Sequence, residues 1–422
     1  MAGPFDKPGT GGGLRTSPRR QRARPRLRAG WVAICWALSR LGTSLAQFAL
    51  LWWIADTTGS VAAVSVAALA ALLPRVLLFP VSRALMLRHR LRRPTIIGSL
   101  FVALLVPLLI LLVSAERIEL WHAYATMALL SALQAFRRSA DHVEFSILVP
   151  GGLARGARRG DATQRVSLVV AAPLGAFLLH ILAPGQVMAI AVLTALLGLV
   201  PLVCFDGWRK TSRAVLGKRP WDEFWKSASL GWRTQGLRQL CVMLGAMALV
   251  TTTAFTLMPL LVKNHFGGGA GQFAWLQALA GMGIGLGRVL MAAMAPRRSV
   301  RWVLGGFSVS SVSIVLAAMA PSGLFGVAAT WWAMCGITFA FGITPVAELL
   351  RATTPVHQQR RALSGVAAVV ALAAPLGLVV TGGVGEWLGI RAVFVLIGLV
   401  GLGTCLAGGL SSSLAVLDGQ GK

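Results

Sequence analysis

Seven basic residues (Arg40, Arg75, Arg83, Arg137, Arg138, Arg165 and Arg288) and three acids (Asp141, Glu144 and Glu348) stand inside stretches that are otherwise apolar. An ionised side chain in hydrocarbon costs roughly 2.5–3.5 kcal/mol on insertion scales, so each position is a candidate for binding, gating or proton movement. The densest group has helical spacing. Gln134, Arg138 and Asp141 share one stripe, Glu144 continues it by a turn, and Arg137 adjoins it. Arg40 falls ten residues into its own run, about 15 Å deep at a rise of about 1.5 Å per residue. Brought together, these groups can close internal ion pairs, relay protons through Asp141 or Glu144, or touch a solute directly, and all three uses stay open. Their balance is cationic, which favours a neutral or anionic solute. Arg75, Arg83 and Arg165 lie toward the ends of their runs, from which a guanidinium snorkels to the interface in a structural role. Glu348 has Arg351 three residues on, the spacing of an ion pair within a helix.

The elements that must carry these residues are long. With 56% hydrophobic and 13% charged residues the chain lacks the polar surface a soluble globule needs. Twelve apolar runs are expected as helical spans, near 30–54, 60–87, 95–114, 119–148, 163–183, 185–205, 239–262, 272–294, 302–320, 324–350, 362–382 and 391–412, each about the length that crosses a 30 Å hydrocarbon core. Of the 40 Lys and Arg, 30 fall on alternate connections and the termini, and three (Arg117, Lys263, Arg391) on the intervening loops. By the positive-inside rule both termini are cytoplasmic, and the protein is a multi-pass plasma-membrane protein, of the inner membrane in a bacterium. The fold class is therefore all-α polytopic, with a basic disordered cytoplasmic tail (1–29), a six-helix bundle (30–205), a cytoplasmic linker (206–238), a second six-helix bundle (239–412) and a short cytoplasmic tail (413–422). In the linker Trp221, Phe224, Trp225, Ala228 and Trp232 recur at helical spacing, which predicts an amphipathic helix on the membrane surface.

Other chemistries find no constellation. The net charge of +27 invites a nucleic-acid reading, but the arginine-rich segment 15–28 has no interleaved aromatics and abuts the first span, so anionic lipid headgroups are the expected partner and nucleic acid is not. Gly281, Gly283, Gly285 and Gly287 lie inside an apolar run with no preceding strand. They read as two GxxxG packing pairs, Gly281/Gly285 and Gly283/Gly287, and not as a phosphate loop. The six histidines form no HExxH, and the five cysteines no CxxC, so neither metal nor cofactor is expected, and no enzyme. Trp52 and Trp53, at the outer end of the first span, read as interface-belt residues.

One pentapeptide occurs twice: Ala171-Ala172-Pro173-Leu174-Gly175 in the fifth run and Ala373-Ala374-Pro375-Leu376-Gly377 in the eleventh. Equivalent positions in each set of six make this the mark of a duplicated unit, with Pro173, Gly175, Pro375 and Gly377 placed for gating or helix packing. Two such units enclose a cavity that opens to each side in turn as they rock.

On these residues the chain resembles the major facilitator superfamily, most of all the drug/proton antiporter branch that includes macrolide efflux pumps. Three further elements carry the resemblance: Thr58-Gly59-Ser60 after the first span, Ala172-Pro173-Leu174-Gly175-Ala176 in the fifth, and Arg360-Arg361-Ala362-Leu363-Ser364 opening the eleventh. The resemblance implies twelve helices in two six-helix pseudo-repeats and secondary transport of a small-molecule substrate by a monomer. The activity it implies is export of amphipathic compounds by alternating access, with protons as an optional coupling partner. The family's loop between spans two and three ordinarily carries an acid that latches the halves together. Here Leu87 takes that place, and Met294-Ala295-Pro296-Arg297-Arg298 after span eight also lacks an acid. Two other readings share the scaffold: a transporter of lysophospholipid or other lipid, and a non-transporting interaction module.

Overall fold

The computed structural model describes residues 18–88, 119–148, 184–197, 235–294, 299–354 and 356–410, with isolated positions between 174 and 182 and Ser229. Side chains are described up to Leu78 in the second helix and up to Phe136 in the third. In the first half lie α1 (Pro18–Thr58), α2 (Val61–Arg88), α3 (Leu120–Leu148) and α4 (Pro184–Leu197). The second holds α5 (Gln235–Asn264), α6 (Ala270–Met294), α7 (Ser299–Met319), α8 (Phe325–Ile343), α9 (Val346–Thr353) and α10 (Val356–Gly409). No strand occurs among the described residues. In lipid every backbone N–H and C=O must find its partner within the segment, which is why these apolar runs coil. Six described stretches are long and apolar enough to cross a membrane. The last, Ala362–Gly409, is two spans in one, broken where Gly389 leaves the helix at φ 77°, ψ 159°. Gly389 takes that left-handed φ at no steric cost, and the chain doubles back. The expected spans 95–114 and 163–183 fall wholly or mostly outside the described residues, as does the amphipathic stretch Trp221 to Trp232 of the linker.

Two boundaries differ from expectation. Helix α1 begins at Pro18, so the segment 18–29, expected as a disordered tail, continues the first span as helix. Proline suits a first helical position, where its missing N–H costs nothing, and arginine is a strong helix former. The tenth run, expected as one span over 324–350, is one membrane-length stretch, Phe325–Arg351, but is divided within into α8, ending at Ile343, and α9, resuming at Val346. Pro345 cannot donate to the carbonyl one turn back and crowds it. Thr344 and Pro345 both stay in the right-handed region, so the result is a kink and not a reversal.

Helices pack as α1 on α4, α2 on α3, α5 on α10, and α8 on both α6 and α7, while α2 meets α10 and α1 meets α5 between the halves. The connections 58–61, 264–270 and 319–325 and the break at Gly389 share one end of the bundle, here termed distal, opposite Pro18 and Gly409. One buried apolar cluster joins both halves there, with Trp52 and Ile54 of α1, Val61 and Val64 of α2, Leu257 of α5, Phe273 of α6 and Phe394 of α10. A second, near the proximal end, includes Leu240, Met243, Phe307, Leu349 and Val366 of the second half.

The duplicated pentapeptide does the same work twice. A methyl group added to Gly175 would lie 2.9 Å from Leu45 Cδ2 of α1, and one added to Gly377 would lie 2.7 Å from Leu249 Cγ of α5. The first helix of each half is thus approached through the glycine of the same motif, the arrangement a duplicated unit requires. Pro375 is buried inside α10, while Pro173 lies outside the described residues.

Candidate functional site

A polar cluster sits at mid-depth in the first half. Arg75 Nη2 donates to Gln134 Oε1 of α3 at 2.6 Å and to Gln47 Oε1 of α1 at 3.5 Å, and Gln134 Nε2 donates to Gln47 Oε1 at 3.4 Å. Along their helices Gln47 lies about 16 Å from the distal end, and Arg75 and Gln134 each about 21 Å. Arg75 is therefore no snorkelling residue. Helix α2 continues 13 residues beyond it to Arg88, about 20 Å of helix, and its guanidinium turns inward to two amides. Ser131, one turn before Gln134, fastens the same two helices by donating to the Ala71 carbonyl of α2. Gln134, singled out by its stripe, is thus at the centre of the cluster, but Gln47 and Arg75 were not foreseen as its partners. The available signal was a deep arginine in the second run, 14 residues from its start.

Arg40 is half-buried, two turns before Gln47 on the same face of α1, with Thr43 between them donating to the Arg40 carbonyl at 3.0 Å. The stripe Arg40, Thr43, Gln47 on α1 and the stripe from Gln134 on α3 meet at the Gln47–Gln134 hydrogen bond. Arg137, Arg138, Asp141 and Glu144 continue α3 toward its proximal end; their side chains lie outside the described set. Glu348 is exposed in the first turn of α9, where the helix N-terminus favours a carboxylate, and Arg351 is exposed in its last turn.

The distal end is closed by polar contacts across the halves. Ser60 begins α2 as its cap, its Oγ accepting the Ala63 N–H at 3.1 Å. Glu386 of α10 completes that cap from the other half: its Oε1 accepts the Ser60 hydroxyl and, at 3.0 Å, the Ala62 N–H. A carboxylate at a helix N-terminus satisfies orphan donors and meets the positive end of the helix dipole. Beside it, Lys263 of α5 pairs with the Asp56 carboxylate at 3.1 Å and donates to the Asp56 carbonyl, and Asn264 Nδ2 donates to the Gly59 carbonyl at 2.9 Å. Under these contacts Trp52 stacks on Phe273 of α6, ring centroids 5.4 Å apart. Trp52 is buried at 7% exposure and so seals the closure instead of standing in an interface belt. Glycines allow the approach: a methyl on Gly382 would lie 2.8 Å from Ser65 Cβ, and one on Gly385 would lie 3.1 Å from Val61 Cβ.

The sequence and its helical arrangement have counterparts among known proteins. The family model described as Major Facilitator Superfamily matches residues 240–413. Macrolide efflux protein A of Streptococcus pyogenes is 20% identical over 365 residues, 86% of this chain and 90% of that protein. The chain is thus similar to the major facilitator superfamily over its second half and to a macrolide efflux protein over most of its length. Two solved structures show the same fold. A bacterial homologue of the human lysosomal transporter Spinster, in an inward-facing and unoccupied conformation, superposes with a TM-score of 0.64 at 13% identity, covering 94% of this chain and 96% of that one. A POT family transporter in complex with 5-aminolevulinic acid superposes with a TM-score of 0.67 at 11% identity, covering 94% and 96%. This is a multi-pass membrane transporter and not an enzyme.

Within the bundle the glycine pairs divide. A methyl on Gly283 would lie 2.5 Å from the Ala333 carbonyl of α8, and one on Gly287 would lie 2.5 Å from the Ile337 carbonyl. Gly336 answers from α8, where a methyl would lie 2.5 Å from the Ala280 carbonyl. Gly281 is buried, but Gly285, expected to share the packing role, has open space where a methyl would go. Four residues bring a helix back to the same face and two carry it to the opposite one, so the seam toward α8 runs through Gly283 and Gly287.

Proposed function

We propose that this transporter exports amphipathic small molecules by alternating access, and that the conformation described is the one closed at the distal face. The observation that carries the reading is the closure itself: a shared apolar core and a helix cap supplied from the opposite half at the distal end. A transporter that alternates needs one end that seals by contacts able to part, and polar caps with glycine seams are of that kind. On the positive-inside reading the distal face looks outward and both termini lie in the cytoplasm, so the chamber is entered from within, as export requires. The relative from Streptococcus pyogenes supports a macrolide-like or other drug-like cargo. Protons are the coupling partner we favour, with a monomer as the working unit and anionic headgroups beside the arginines of residues 18–29.

The test is expression in a bacterial host deleted for its own pumps, with accumulation of a panel of macrolides and lipophilic dyes measured with and without a proton uncoupler. Lower accumulation of at least one compound is expected, restored by the uncoupler. Unchanged accumulation across the panel, with the protein verified in the membrane, overturns the reading.

A further inference from the structure

The Gln47–Arg75–Gln134 cluster has a polarity that limits what it accepts. Both glutamine carbonyl oxygens are occupied by N–H donors: Gln134 Oε1 by Arg75, and Gln47 Oε1 by Arg75 and Gln134. This bonding also fixes which way the Gln47 amide faces, because the reverse orientation would set its NH2 against two other N–H donors. What remains is Gln47 Nε2, buried and with no hydrogen-bond partner among the described residues. Gln47 Oε1 thus has both lone pairs engaged and Gln134 Oε1 one, while the cluster holds an unspent donor beside a guanidinium. Three helices converge on it at mid-depth, and two of them, α1 and α2, also build the distal closure.

We infer that Gln47, Arg75 and Gln134 form the specificity-determining subsite for a substrate oxygen: a carbonyl, carboxylate or other acceptor on an otherwise apolar molecule. The inference rests on the exporter reading and gives it a chemical class. A cationic ammonium head, quaternary or protonated, offers no acceptor and would meet N–H groups and a guanidinium there. A lactone carbonyl or a carboxylate meets the donor that no described residue satisfies. A macrocyclic lactone that also carries an amine is accommodated by presenting its oxygens to this cluster.

The probes are three dansyl-labelled dodecyl amphiphiles ending in a carboxylate, a primary amide and a trimethylammonium group. Their binding to the full chain in lipid nanodiscs is followed by fluorescence, and their efflux in the pump-deleted host. The carboxylate and amide probes are expected to bind at least tenfold more tightly than the trimethylammonium probe. Arg75→Gln should weaken the carboxylate probe tenfold or more without weakening the cation. Gln47→Met, which keeps the side-chain length and removes the donor, should weaken both oxygen-bearing probes and so serves even where Arg75→Gln fails to fold. Wild-type preference for the trimethylammonium probe, or a preference among probes unaltered by Gln47→Met, overturns the inference. Efflux that persists without any headgroup preference overturns this inference alone. Loss of both binding and efflux for all three probes and for the wider panel overturns the exporter reading with it.

Discussion

Replacing Glu386 by glutamine leaves an oxygen for Ser60 and Ala62 but removes the charge at the start of α2. The group is exposed, so the loss is modest, about 1 kcal/mol, after allowing for solvent screening of a helix-end interaction. That suffices to move the balance between distal-closed and distal-open forms about fivefold, read as increased labelling of a cysteine placed at Ser65 by a membrane-impermeant maleimide. The Asp56–Lys263 pair, with side chains 58% and 33% exposed, contributes less, so Lys263→Ala should change the same labelling by under about threefold and lose that effect in high salt. Neither contact was legible in the sequence, where Glu386 and Ser60 stand 326 positions apart. Gln134 was legible because its stripe could be counted. Its partner Arg75 was misplaced because hydropathy reports how deep a helix runs but not how it is rotated about its axis. Leu87 ends the second run without an acid, while an acid stands at the opposite end, Glu386 on α10 against α2.

At the scale of elements the glycine seams set how closely helices approach. Gly283→Leu should fail to accumulate or should unfold at lower temperature, because overpacking against a backbone carbonyl costs about 1–3 kcal/mol and the Ala333 carbonyl cannot move aside cheaply. Gly285→Ala, with nothing near the added methyl, should be neutral or stabilise by up to about 1 kcal/mol through helix propensity. Thermal unfolding in detergent, followed by tryptophan fluorescence, ranks the two. Helix existence followed from apolar length, since a long run in lipid has few options. Boundaries and breaks were less legible. Pro345 broke a run that pattern alone had kept whole, and Pro18 began a helix where proline and arginine had suggested disorder.

Across the whole molecule the halves are related by duplication, and the repeated pentapeptide announced this before any geometry was known. What repetition could not reveal is the state: which end the halves share is written in contacts between residues far apart in sequence. With the native cysteines replaced, the pair Val61→Cys and Gly385→Cys should oxidise readily, since the two Cβ positions lie near the separation a disulfide spans. The cross-link should stop transport, and reduction should restore it. Transport that continues through the cross-link would mean the distal face need not open. Helix α1 has one more consequence. Its 41 residues extend about 62 Å, roughly twice the thickness of the hydrocarbon layer, so some 18 Å of arginine-bearing rod stands beyond the first span and is continuous with it. A small tilt of the first half would swing the tip of that rod through a larger arc, and a fluorophore fused there would act as a pointer, magnifying each turnover into a displacement that energy transfer to the second half can read.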